Sequence, residues 1–386
     1  MFIFFLAAWT FLMGQIAEAS PYEQFRLRPD PSLPFPRIIA IGDLHGDYHA
    51  MRKTLELAGA INPEGEWIGS HLIVVQTGDL IDRGPDDLQV LDFIARMETA
   101  AQQKGSWIIP LNGNHEYLNL QHIFDYASAP SVAAFERVIS PVFFAYDLDQ
   151  FCKQACNPYP WRTPPGKNPF DSSWSDSPDE IRDSFVAKLK EQYEKDLVRP
   201  GLAFRAVAFS PNMRRYEALT KRPFFKIIGD TVFVHGGILP EHLTYGLDRI
   251  HHEIRDWLMG SSTVRWLFGN ERHTPPKVGI ASPHSPIWSR RYGLLSADPI
   301  APELLTAEEQ ETCKALETVL ADLQVKRMVI GHTIDPSHNI TSACQGKVWR
   351  IDIGLSSSME SPSKDYQILS IQGDEIQTLT APRSSE

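Results

Sequence analysis

Five short motifs hold the residues of this chain best suited to chemistry. They are Gly42-Asp43-Leu44-His45-Gly46, Gly78-Asp79-Leu80-Ile81-Asp82-Arg83-Gly84, Gly113-Asn114-His115-Glu116, His235-Gly236-Gly237 and Gly331-His332-Thr333. Carboxylate, amide and imidazole groups are the oxygen and nitrogen donors that a dinuclear metal site needs, one of them bridging. Asp43 and His45 are two residues apart, so on an extended segment both side chains leave the same face. The glycines permit sharp turns and close approach of a ligand. Any one of these motifs is common by itself; it is the ordered set that carries the argument.

The elements around the motifs explain how they could meet. Arg37–Ile41 (RIIAI), 71–76 (HLIVVQ) and 107–111 (WIIPL) read as buried strands, each running into one of the first three motifs. Between them, 47–59 and 86–104 carry helical periodicity, the second stopping at Gly105. Strand, helix, strand, helix, strand implies a layered α/β core, and strand ends in such a core open on one edge where ligands bind. Further strands are expected at 224–228 and Thr231–Val234, joined by a Gly229-Asp230 hairpin turn, and at Arg327–Ile330, 348–353, 366–371 and 375–379. The last four alternate and are expected to form a second sheet packed on the first. Segments 20–30 and the tail after Thr380 are expected to be loose.

The chain has 386 residues, 42% hydrophobic and 22% charged, which suits a globular protein with a sizeable core. Its net charge of −11 argues against a nucleic-acid partner, because phosphate backbones need a basic face. Bound cations can invert the local field, so a phosphorylated substrate is not excluded. Residues 2–14 form an apolar run followed by Ala17-Glu18-Ala19. We read 1–19 as a signal peptide cut near Ala19, which implies the secretory pathway and an extracellular or periplasmic location. An uncleaved anchor or a buried hydrophobic arm are the alternatives. No later segment is long and apolar enough for stable membrane insertion. Residues 20–36 read as a Pro-rich linker, 37–380 as the main domain with an insert at 117–223, and 381–386 as a tail. Within the insert, 179–195 is expected to be helical. Four cysteines, Cys152, Cys156, Cys313 and Cys344, permit two disulfides in three pairings, and Cys152 and Cys156 are close enough to pair locally.

GDLHG, GDLIDRG, GNHE and HGG resemble the motif blocks of the phosphoprotein phosphatase family within the calcineurin-like metallophosphoesterases. The resemblance covers 37–379, apart from the insert. The C-terminal block of the SAPNY kind is absent, and the last block reads GHT, as in bacterial-type members. Long insert, leader and GHT together are most similar to the Shewanella-like protein phosphatases. That resemblance implies a four-layer α/β/β/α metallophosphoesterase sandwich with two mixed sheets. It also implies a metal-dependent phosphomonoesterase, acting on a phosphoprotein by in-line attack of a metal-bridged hydroxide.

The residues fit those roles. Asp43 and His45 would hold the first metal, Asp79 would bridge, and Asn114, His235 and His332 would complete the second. Two divalent or mixed-valence ions are expected, with manganese, iron or zinc suiting the nitrogen and oxygen donors. By the same resemblance His115 is the general acid, oriented by Asp82. Arg83 is the first phosphate clamp; Asp82 could instead cap the next helix. A second clamp is expected from Arg290 rather than Arg291, in the block 286–291. Glu116 reads as structural, Asp47 and His49 as the start of a helix, Asp352 as a rim residue and His251-His252 as a surface pair. Asn339-Ile340-Thr341 is a glycosylation sequon. Two other functions fit the same motifs: a dinucleoside polyphosphate hydrolase or phosphodiesterase, and a non-catalytic phosphate-binding protein.

Overall fold

A computed structural model describes residues 22–138, 201–209, 213–260 and 275–383. The expected signal peptide, Cys152, Cys156 and the helix expected at 179–195 lie outside the described residues.

Three parallel strands start the first sheet: β2 (Arg37–Ile41), β3 (Leu72–Gln76) and β4 (Trp107–Pro110). Every residue of β3 is buried, as its unbroken apolar run demands. Parallel neighbours need crossovers, and two helices supply them: α1 (Tyr48–Leu57) and α2 (Asp87–Gln103). Asp47 caps α1 by accepting from the Ala50 amide at 2.8 Å. Helix α2 buries Leu88, Val90, Leu91, Ile94, Met97 and Ala101 on one side. It ends where Gly105 takes φ +63°, which only a residue free of a Cβ adopts without cost.

The second sheet has six strands in the order β1-β5-β6-β7-β9-β8. They are β1 (Arg26–Leu27), β5 (Phe225–Ile228), β6 (Thr231–Val234), β7 (Arg327–Ile330), β8 (Thr341–Ala343) and β9 (Val348–Arg350). The β5–β6 hairpin turns at Gly229-Asp230, with Ile228 opposite Thr231.

Two sequence expectations need correction. The four late strands do not form one sheet. β7 and β9 join β6, whereas β10 (Asp365–Gln372) and β11 (Glu375–Pro382) extend the first sheet, β10 pairing antiparallel with the free edge of β2. Alternation marks a strand but says nothing about which edge it takes. Segment 22–30 is also not loose. Phe25 is buried with its ring centroid 4.3 Å from that of Phe225, and the next two residues pair with β5. Burying one Phe gains about 1.5–3 kcal/mol, enough to hold a short arm in place.

The two mixed sheets and their flanking helices share one continuous apolar core, giving the four-layer α/β/β/α sandwich. Cys313 and Cys344 form a disulfide that ties the helix Ala307–Leu323 to the turn after β8. Helix α3 (Asn114–Leu120) runs into the segment assigned to an insert, and α4 (Ala129–Val138) follows within it. The segment returns with α5 (Leu202–Ala208), which packs on α4. Among the described residues no helix is long and apolar enough to cross a membrane.

Candidate active site

Each of the five motifs leaves the C-terminal end of a strand: β2, β3, β4, β6 or β7. The parallel pairings carry those ends to one edge. There the six expected metal donors converge. His45 Nε2 is 3.8 Å from Asp79 Oδ2, and His235 Nε2 is 3.3 Å from the same oxygen. His235 Nε2 also lies 2.9 Å from Asn114 Oδ1. Asp43 Oδ2 accepts from the His332 amide at 3.0 Å, and Asp43 Oδ1 is 3.9 Å from the His235 ring. Asp79, His235 and His332 present donor atoms within 4.8 Å of one another, and so do His45, Asp79 and His115.

Hydrogen bonds fix which nitrogen each ring presents. His235 Nδ1 donates to the Thr77 carbonyl at 2.9 Å and His45 Nδ1 to that of Ile81 at 3.3 Å, so their Nε2 atoms face the cluster. His332 is the reverse: its Nε2 meets the Trp288 carbonyl at 3.1 Å, leaving Nδ1 free. All six side chains are buried.

The backbone here is forced. His45, Asp79, Asp82, Arg83 and His332 all have positive φ, between 44° and 72°. For non-glycine residues that costs roughly 1–2 kcal/mol each. Glu116 offsets part of it. Its carboxylate accepts from the amides of Asp79 (2.9 Å), Leu80 (2.8 Å) and Gly113 (2.8 Å), clamping two motifs together. Gly113 must be glycine, since a Cβ there would meet Asp79 Oδ1 at 2.2 Å.

The electrostatics call for cations. Burial, reinforced by the charges of Asp352 and Asp79, pushes the Asp43 carboxyl well above its ordinary range. Asp43 Oδ1 is buried without a hydrogen-bond donor. Burial also raises Asp352, to about 6. It would raise Asp79 too, but the rings of His235, His115 and His45 outweigh it and hold Asp79 well below the usual range. Burial drives His45 down to about 3 and His332 to about 2, so both are neutral and ready to ligate. An orphaned carboxylate oxygen, neutral imidazoles and a central carboxylate are what a pair of divalent ions would satisfy. Among these donors, His115 enters a tight geometric group where the sequence placed Asp43. Asp43 remains a candidate ligand, because its Oδ1 takes part in no hydrogen bond.

His115 Nδ1 lies 2.7 Å from Asp82 Oδ2, which aims Nε2 at the cluster, 3.8 Å from Asp79 Oδ2. Burial acts to lower the His115 pKa, but the carboxylates of Asp79 and Asp82 override it and the net shift is upward. Asp82 does not cap a helix. Its backbone N–H instead donates to Asp87 Oδ1 at 2.9 Å. The Arg83 guanidinium lies over the Tyr126 ring at 5.3 Å, and that ring meets His115 edge-on at 4.9 Å. Arg290 Nη1 donates to the His332 carbonyl at 2.9 Å, whereas Arg291 turns to Thr312.

Sequence reasoning missed several participants. Asp352 is no rim residue; it is buried against Asp43. Its place at a strand end was the available signal. Tyr126 and Trp288 gave none. Arg205, from α5, reaches Asp82 Oδ1 at 2.8 Å and Asp87 Oδ2 at 2.7 Å. Removing it would leave two buried carboxylates uncompensated, at a cost of about 3–5 kcal/mol.

Fold and site together define a metal-dependent phosphoesterase with a two-metal donor set. The family model described as calcineurin-like phosphoesterase matches residues 36–336. Shewanella-like protein phosphatase 2 of Arabidopsis thaliana is 32% identical over 324 residues, covering 83% of this chain and 71% of that protein. Shewanella-like protein phosphatase 1 of Plasmodium berghei is 24% identical over 327 residues, covering 83% and 67%. A solved structure of a cold-active protein-tyrosine phosphatase from a psychrophilic Shewanella shares the fold. Its TM-score is 0.54 at 18% identity, covering 92% of this chain and 83% of that one. The chain belongs to the calcineurin-like phosphoesterase family and is a metallophosphatase, a hydrolase of phosphate esters.

Proposed function

We propose that this metallophosphatase acts on phosphoproteins, with His115 as the group that protonates the leaving oxygen. The observation that carries the proposal is the His115–Asp82 contact of 2.7 Å, which presents Nε2 to the same space as the metal donors. The kinship with protein phosphatases supports the substrate class.

Asp43, His45 and Asp79 would hold one divalent ion, and Asp79, Asn114, His235 and His332 the other. Bound there, the pair would supply Lewis acidity that activates water and offsets phosphate charge. The remaining work falls to the chain. Arg83, braced by Tyr126, grips the phosphoryl oxygens from one side and Arg290 from the other. His115, held by Asp82, places a proton on the departing alkoxide or phenoxide. Manganese, iron and zinc all suit the donors, and entry into the secretory pathway through a leader cut near Ala19 belongs to the same reading.

The test is turnover of 4-nitrophenyl phosphate against its bis-ester, then of a phosphopeptide panel, with His115→Asn as control. Monoester turnover and phosphopeptide turnover are expected. Preference for the bis-ester or a dinucleoside polyphosphate would replace the proposal with a diesterase. No turnover with added manganese, and no bound metal, would leave a binding protein. For His115→Asn a loss of about 10²–10⁴ in kcat is expected on poor leaving groups.

A further inference from the structure

The side chain and backbone N–H of Asp82 make four hydrogen bonds, and their division is informative. Its Oδ2 accepts from His115 Nδ1 at 2.7 Å and from Asn119 Nδ2 at 3.0 Å. Its Oδ1 accepts from Arg205 Nη2 at 2.8 Å. Its backbone N–H is held by Asp87, whose other oxygen pairs with Arg205 Nη1. One guanidinium thus grips both the side chain of Asp82 and, through Asp87, its backbone. That backbone has φ +72°, a conformation needing restraint.

Arg205 is itself locked. Its side chain has no solvent exposure. Nε donates to Asn119 Oδ1 at 2.9 Å and Nη1 to Ser131 Oγ at 2.9 Å. The rings of Phe124, Phe135 and Phe209 surround the guanidinium at 5.6, 4.9 and 5.4 Å. A buried ion pair is weak evidence of stability, because apolar residues of equal volume would serve as well. What an apolar residue could not do is fix the direction of the Asp82 carboxylate.

We infer that Arg205 is a positioning residue for the reaction: through Asp82 it sets the direction of the His115 ring. The segment that returns to the core after residue 200 therefore takes part in holding the proton donor. Without the guanidinium, Asp82 Oδ1 loses its donor, the carboxylate turns, and the imidazole loses its fixed aim. A misdirected donor slows only the step that needs its proton. The inference rests on His115 being the donor.

The test uses manganese-loaded full-length protein with Arg205→Gln, Arg205→Lys, His115→Asn and Arg327→Lys. Arg327 is another buried arginine paired with carboxylates, at the far end of β7 from His332, and serves as the control for lost stability. Each is assayed on phenyl phosphate, whose leaving group needs a proton, and on 2,4-dinitrophenyl phosphate, whose leaving group does not. Both Arg205 variants are expected to lose about 10–100-fold in kcat on phenyl phosphate with KM nearly unchanged, and about tenfold less on the dinitrophenyl ester. Arg327→Lys is expected to melt earlier without that asymmetry. Should Arg205→Gln not fold, Arg205→Lys carries the same comparison. Equal losses on both esters for Arg205, with unequal losses for His115→Asn, overturn the inference alone. Equal losses for His115→Asn overturn it together with the reading of His115.

Discussion

The carboxyls of Asp43 and Asp352 meet inside the protein, both withdrawn from water and both raised above the ordinary carboxylate range. Without a cation, such a contact is favourable only while a proton is retained. Asp79 likewise raises His115 and His235 against the effect of burial. A group with a raised folded pKa stabilises below its unfolded value and loses that contribution as pH rises through the folded value. His115 and His235 carry this sign above about pH 6.5, and Asp43 carries it from about 3.8 upward. His45 and His332, lowered to about 3 and about 2, have the opposite sign but act only below 6.5, and Asp352, at about 6, has also titrated by then. The metal-free protein should therefore melt at falling temperature as the pH rises above about 6.5, and the gain on adding manganese should widen. Calorimetry of chelated and loaded protein checks this; a constant gap across that range contradicts it.

Glu116 accepts three backbone amides from two motifs. In Glu116→Gln an amide group with two donors would replace one acceptor oxygen and face an N–H. The expected loss is about 2–3 kcal/mol of stability, read from the midpoint of urea unfolding. Metal affinity should fall with it, because Asp79 is no longer held in its left-handed backbone.

Gly331 has no Cβ because Asp43 occupies the space; an added one would lie 2.3 Å from Asp43 Oδ1. Gly331→Ala is expected to push that carboxylate aside. Metal affinity should drop about 10–100-fold, measured by titration calorimetry, while far-ultraviolet circular dichroism stays unchanged. Undiminished affinity would remove Asp43 from the ligand set.

Arg290 and Arg291 are adjacent, yet only Arg290 turns to the His332 loop. Arg290→Ala should lower kcat/KM about tenfold or more, and Arg291→Ala should change it little. A reversed order in steady-state kinetics on a phosphopeptide would assign the second clamp to Arg291.

The sequence by itself determined the candidate donors and their placement at strand ends. Asp43, His45, Asp79, Asn114, His235 and His332 each sit in a glycine-flanked turn after an apolar run, and both features are local. The tertiary structure decided the rest. It sent β10 and β11 to the edge of β2, buried Asp352 against Asp43 and brought Arg205 to Asp82 across 123 residues of chain. Periodicity and turn chemistry report on a residue's own neighbours. They leave no trace of which strand edge is still free, or of which distant charge a buried carboxylate will need, because both are settled only when the core closes.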